Sequence, residues 1–201
     1  MKLPRVYPIV ASAEWVGKLL PLGIQLVQLR MKVGSASEIR GEIREAKSLC
    51  AHAGAQLIVN DYWQLAMDEG CDFVHLGQGD LDAADVPALR KAGVRIGVST
   101  HDHSELARAL ALEPDYVALG PIYPTLLKVM PWSPQGLGRI TEWKRRIGKI
   151  PLVAIGGLTV ERLPGVFAAG ANVAAVVNDI VQNRDPRART REWLDIASRR
   201  S

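Results

Sequence analysis

The chain has 201 residues, 48% of them hydrophobic, 23% charged and 5% aromatic, with 25 basic against 21 acidic side chains. At about 100–200 residues per domain this makes one globular unit, 1–201, with a real core, and it excludes disordered and fibrous classes. The net charge of +4 is too small an excess to indicate nucleic acid. No apolar run approaches the roughly 18–20 residues of a membrane span, and Met1–Val10 lacks the pattern of a secretory signal, so a cytoplasmic protein is expected.

In chain order, short apolar runs begin near Arg5, Ile24, Ala55, Phe73, Arg95, Tyr116, Pro151 and Asn172. They read RVYPIVA, IQLVQLR, AQLIVND, FVHLGQ, RIGVST, YVALGP, PLVAIGG and NVAAVVN. Near-continuous Val, Ile and Leu without strict alternation marks strands of a parallel sheet covered by helices. Between them the pattern predicts helices over Ala13–Leu20, Ser37–Ala53, Tyr62–Met67, Ala83–Ala92, His103–Leu112, Leu137–Ile147, Val160–Ala169 and Arg189–Ser198. Ser37 opens the second helix and Asp102 or Ser104 the fifth, while Gly54, Gly93 and Gly170 stand where left-handed helix stops are expected. Eight such units in about 200 residues predict a single (β/α)8 TIM barrel near its minimum length. An open doubly wound sheet is the alternative, but Ala11-Ser12-Ala13 after the first run is no glycine fingerprint. Cys50 and Cys71 read as two reduced, buried thiols.

A barrel carries its active site at the C-terminal ends of its strands. There the chain places Gln28-Leu29-Arg30-Met31-Lys32, Asn60-Asp61, Gly77-Gln78-Gly79-Asp80, Ser99-Thr100-His101, Gly120-Pro121, Gly156-Gly157 and Asn178-Asp179. Arg30 and Lys32, pointing the same way by the strand period of two, are either a solvated strand end or an anion clamp. Asp61 and Asp80 end neighbouring strands. Each alone reads as a helix cap, but together, facing cations, they suit Mg²⁺ held by one or two carboxylates plus substrate phosphates. Gly156-Gly157 is either a tight turn or a close approach to a ligand, and loops after strands seven and eight often bind phosphate. Tyr123–Gln135 is the one long irregular connection, kept out of helix by three prolines; it reads as a lid over the site, with Lys128 its only charge. His52, His75 and His103 read as structural, His101 is balanced between structure and function, and Trp63, Trp132 and Trp143 read as packing.

At these rim positions the chain resembles the thiamine-phosphate synthase family. The likeness runs in order through QLRMK (28–32), LIVNDYWQLA (57–66), VHLGQGDL (74–81), GVSTH (97–101), DYVALGPIYPTLLK (115–128), PLVAIGGL (151–158) and GANVAAVV (170–177), essentially the whole chain. The family joins an aminopyrimidine carrying a diphosphate to a thiazole carrying a phosphate. The resemblance implies that Gln28, Arg30, Lys32, Asn60, Ser99 and Lys128 hold the pyrimidine diphosphate and that Asp61 and Asp80 ligate Mg²⁺. It further implies that Thr125, Gly157 and the Val177–Asn178 turn hold the thiazole phosphate. Where the family has Thr-x-Thr-Lys and Val-Ser, this chain has Thr125-Leu126-Leu127-Lys128 and Val177-Asn178. The implied chemistry is Mg²⁺-assisted departure of diphosphate, with Arg30, Lys32, Ser99 and Lys128 stabilising the leaving charge, and capture of the pyrimidine cation by the thiazole nitrogen. Small-molecule substrates are expected, with neither nucleic acid nor membrane as partner, and a homo-oligomer is compatible with the reading. A thiazole tautomerase-like paralogue, a non-catalytic ligand-binding barrel and a phosphosugar isomerase or epimerase are the competing expectations.

Overall fold

The computed structural model describes residues 3–124 and 132–199. Eight strands, β1 (Val6–Val10), β2 (Leu26–Leu29), β3 (Gln56–Asn60), β4 (Phe73–Leu76), β5 (Arg95–Thr100), β6 (Tyr116–Leu119), β7 (Leu152–Ala154) and β8 (Val173–Val176), pair in sequence order. Every pair is parallel and β8 returns to β1, so the sheet closes into a (β/α)8 barrel. The outer helices among the described residues are α1 (Ala13–Leu19), α2 (Ala36–Ala53), α3 (Trp63–Asp68), α4 (Val86–Lys91), α5 (His103–Leu110), α6 (Gly136–Ile147), α7 (Leu163–Ala168), α8 (Asn178–Val181) and α9 (Pro186–Ser198). None is long and apolar enough to cross a membrane.

Local chemistry sets most helix boundaries. Helix α2 starts earlier than expected because Ser35, not Ser37, is its cap. Ser35 Oγ accepts from Glu38 N at 3.3 Å, and Glu38 Oε2 accepts from Ser35 N at 2.7 Å, a reciprocal capping box. Asp102 caps α5 through Glu105 N, and Gly54, Gly93 and Gly170 all adopt positive φ. Helix α4 begins only at Val86, where Asp85 caps it and Pro87 occupies a first-turn position. The short helix α8 was not expected; it is a single turn with a mixed sequence, too brief for a periodic signal.

Two apolar layers result. One fills the space between sheet and helices, with Leu19, Ile43, Leu76, Ile96, Trp143 and Trp193 among its fully buried members. The other lies inside the barrel and comprises Tyr7, Ile9, Leu26, Ile58, Phe73, Tyr116, Ala118, Val153, Val173 and Ala175. The period of two along each strand continues the inner set toward the C-terminal rim as Gln28, Asn60, His75 and Ser99. The register brings these together, since Gln28 pairs Ile9 and Ile58, Asn60 pairs His75, and Ser99 pairs Ala118. The interior is therefore apolar at its base and polar at its mouth. Both cysteines are buried and unbridged, and burial pushes each thiol up to about 11.

Candidate active site

A cavity of about 840 Å³ opens at the polar mouth. On one side its wall carries Gln28, Arg30, Asn60, Asp61, Asp80 and Ser99; on the other it carries Gly157, Val177 and Asn178. In a closed barrel of eight ordered strands, β3 and β4 stand across from β7 and β8, so the aspartates and the Gly157–Asn178 side face one another.

Arg30 keeps the strand direction because its N–H still donates to Val10 O at 2.8 Å. Lys32 does not follow it. Strand β2 ends at Leu29, the chain turns, and Lys32 is exposed and outside the cavity wall. The period-of-two argument that paired Lys32 with Arg30 does not carry over because strand pairing ends at Leu29 and the chain bends at Lys32. Thr125 and Lys128 lie outside the described residues. The connection that contains them leaves and returns at one point, since Gln135 N donates to Pro121 O at 2.7 Å and Gly136 N to Ile122 O at 2.9 Å.

Asp61 and Asp80 do meet. Asp61 adopts a left-handed backbone, φ 61°, an uncommon choice outside glycine that turns the chain sharply off β3. Its carboxyl is not a helix cap: Tyr62 holds the cap position of α3, with no side-chain bond to the helix end. Burial, and then the neighbouring Asp80 carboxyl, push Asp61 up to about 6, with Arg30 and Asn60 opposing. Asp80 is held by Gly77 N at 3.1 Å, and a Cβ at 77 would lie 2.8 Å from Asp80 Oδ2, so the carboxylate would have to shift. Gly156 and Gly157 likewise have positive φ, and a Cβ at either would strike the loop after β6. The tight-turn requirement thus accounts for both glycines.

His75, read from sequence as structural, lies at the centre of the site. Gln28 Nε2 donates to Tyr7 Oη at 2.7 Å, and Tyr7 Oη lies 3.1 Å from Tyr116 Oη. Tyr116 Oη lies 2.7 Å from His75 Nδ1, and His75 Nε2 lies 2.8 Å from Ser99 Oγ. Burial holds His75 down to about 4 and raises both phenols, so at neutral pH the imidazole carries one proton and the tyrosines keep theirs. With the Gln28 amide nitrogen facing Tyr7, one polarity satisfies every member. Tyr7 accepts from the Gln28 amide and gives its proton to Tyr116, Tyr116 gives its own to His75 Nδ1, and Nε2–H donates to Ser99. The reverse direction leaves the buried Tyr7 proton without an acceptor, at a cost of about 1–3 kcal/mol. The Ser99 hydroxyl proton is then turned to the cavity. Asn60 Nδ2 is a second buried donor there; it makes no hydrogen bond of normal geometry among the described residues, although it lies close enough to favour the Asp61 carboxylate.

Trp132 reaches the cavity as well. Its ring lines the cavity and stacks on His101 at 3.9 Å between centroids. His101 is fixed in turn by Glu105 at 2.6 Å and by Gln135 Nε2 on its carbonyl at 2.9 Å. Sequence reasoning gave His75 and Trp132 structural roles and did not single out Arg162, which also lines the cavity. The inward parity of β4, in which Phe73 and His75 alternate with core residues, was the one available signal.

The arrangement puts two adjacent carboxylates beside a guanidinium on one side of a cavity, with neutral donors and the Arg162 guanidinium opposite. The profile of thiamine monophosphate synthase, the TMP-TENI family, matches residues 6–180. A thiamine-phosphate synthase of Rhizobium etli is 61% identical over 194 residues, spanning 96% of this chain and 95% of that one. Its counterpart in Cronobacter sakazakii is 45% identical over 192 residues, spanning 96% and 91%. Among solved structures, a thiamine phosphate pyrophosphorylase from Pyrococcus furiosus superposes with a TM-score of 0.84 at 25% identity, covering 96% of this chain and 95% of that one. The profile spans most of the chain and the identity runs nearly end to end, so the chain belongs to the thiamine monophosphate synthase family and is an enzyme of that kind.

Proposed function

We propose that the enzyme condenses 4-amino-2-methyl-5-(diphosphooxymethyl)pyrimidine with thiazole phosphate, giving thiamine phosphate and diphosphate through a dissociative departure of diphosphate. The observation that carries this reading is the Asp61–Asp80 pair beside Arg30, on one wall of a cavity large enough for two small substrates.

The donor set fits a hard divalent cation such as Mg²⁺. Asp61 and Asp80 are oxygen ligands whose mutual repulsion already disfavours ionisation of Asp61. Among the described residues no third His, Cys, Asp or Glu joins them into a closed protein site, which suits an ion that shares its ligands with water and substrate phosphate. Asp61 and Asp80 would hold this ion, and when bound it would offset the negative charge gathering on diphosphate.

The remaining work falls to the chain's own groups. Arg30 offers a planar fork to the diphosphate oxygens, and Ser99 and Asn60 offer one N–H or O–H donor each. Gln28, on the cavity floor, lies where the pyrimidine ring would rest. Lys128, from the connection between Pro124 and Trp132, adds a second cation. Lys32, exposed beside the mouth, is left the lesser part of steering anions inward. Thr125, Gly157, Val177 and Asn178 form the thiazole-phosphate side. No base is required, because the thiazole nitrogen captures the pyrimidine cation with its own lone pair. A cytoplasmic location accords with this substrate pair.

The test is diphosphate release from purified protein with both substrates and Mg²⁺, and with each omitted in turn. Release that requires all three, matched mole for mole by thiamine phosphate, is the expected result. Turnover of the thiazole alone without Mg²⁺, or pyrimidine binding without release, overturns the reading in favour of a tautomerase or a binding protein.

A further inference from the structure

Arg162 follows β7 in a short 3-10 turn, Val160–Arg162, and lines the cavity on the side away from the two aspartates. It is held firmly. One Nη donates to the Gly157 carbonyl, and the guanidinium lies 4.2 Å over the Tyr123 ring. These contacts use one of its N–H groups and one face of its plane, leaving the rest of the fork with no partner among the described residues.

The nearby acids are engaged elsewhere. Glu161, next in sequence, is turned to Arg189 at 3.1 Å. Asp179, the carboxylate on this side of the cavity, is fully occupied: Arg189 grips both its oxygens at 2.9 and 3.0 Å, and Trp193 Nε1 donates at 2.7 Å. No carboxylate within salt-bridge distance of Arg162 is present among the described residues. The other polar groups from this part of the lining, Thr159, Asn178, Gln182 and Asn183, are uncharged. One wall of the cavity is thus acidic and suited to a cation, while the wall across from it carries a fixed, uncancelled positive charge.

We propose that Arg162 binds the phosphate of the second substrate, and that its charge sets the preference for a phosphorylated thiazole over the free alcohol. This rests on the condensation reading above and adds a specificity-determining residue to it. A planar fork anchored on one edge and stacked on one face is preorganised for a bidentate grip on phosphate, at little further entropic cost.

The test compares Arg162→Gln and Arg162→Lys with wild type, using thiazole phosphate and the corresponding thiazole alcohol as alternative second substrates. Arg162→Gln keeps a donor for the Gly157 carbonyl and removes the charge. It should raise KM for thiazole phosphate at least tenfold, leave kcat and the KM for pyrimidine diphosphate within about twofold, and erase the preference for phosphate over alcohol. Arg162→Lys should recover part of that preference. If Arg162→Gln weakens alcohol and phosphate alike, or raises both substrates' KM together, Arg162 is only a strap between the loops after β6 and β7 and the proposal fails. Titration calorimetry with thiazole phosphate, without turnover, separates the two readings. A wild-type protein that makes no thiamine phosphate sinks the condensation, whereas equal binding by wild type and Arg162→Gln sinks the role of Arg162.

Discussion

Replacing Tyr116 by Phe tests the hydrogen-bonded chain beneath the cavity without disturbing shape. The ring would stay across the glycine at 97 and against Phe73, 5.6 Å away between centroids. Two hydrogen bonds go, at 2.7 Å to His75 and 3.1 Å to Tyr7. Each contributes about 0.5–1.5 kcal/mol net, and the buried His75 Nδ1 and Tyr7 proton left unpaired add a penalty, so a loss of about 2–4 kcal/mol is expected in urea unfolding at neutral pH. The functional consequence is more specific. With no donor at Nδ1, the proton of His75 is free to move there, Nε2 becomes an acceptor, and the Ser99 hydroxyl turns away from the cavity. One donor to a charged substrate is lost, so kcat/KM for pyrimidine diphosphate should fall about tenfold, as in Ser99→Ala, and the double variant should be no worse than either single one. An unfolding free energy within about 0.5 kcal/mol of wild type would refute the energetic part. A destabilised Tyr116→Phe protein with unchanged kcat/KM would refute the assigned polarity.

Three further outcomes follow from the same geometry. The unfolded His75 imidazole titrates near its ordinary 6.5 and the folded one at about 4, so its contribution is complete above pH 6.5 and is lost as pH falls toward 4. The amount is about 3 kcal/mol at most, and the stability difference between wild type and His75→Gln, measured from pH 7.5 to pH 4.5, should shrink accordingly; a constant difference would count against burial as the cause. Adding Mg²⁺ at pH 7.5 to about ten times its Kd should stabilise wild type by about 1.4 kcal/mol in thermal unfolding, and Asp61→Asn should abolish that response while stabilising the ion-free protein; an undiminished response would place the ion elsewhere. In Gly97→Ala the new Cβ would lie 2.0–2.6 Å from Tyr116 ring atoms, so the ring must shift and its hydroxyl bonds break. A loss of about 3 kcal/mol or more is expected, and a variant as stable as wild type would show that the interior yields more easily than its packing implies.

Sequence alone determined the repeating plan of this protein. Eight buried strands, the glycines that stop helices at 54, 93 and 170, a cap at Asp102 or Ser104 and the rim positions of Arg30, Asn60, Asp61, Asp80 and Ser99 all follow from local patterns, because periodicity, capping and turn chemistry are short-range. Family resemblance added roles to those positions. Tertiary structure decided what one strand cannot show about another. Barrel register put Gln28, Tyr7, Tyr116, His75 and Ser99, drawn from five strands, into one hydrogen-bonded chain. A bend at Lys32, beyond the end of β2, left Arg30 in the cavity wall and Lys32 outside it. The pairing of Glu161 and Asp179 with Arg189 left Arg162 without a carboxylate partner among the described residues. Each of these depends on which residues from distant segments share a layer or a charge partner, and that is set only when the sheet closes.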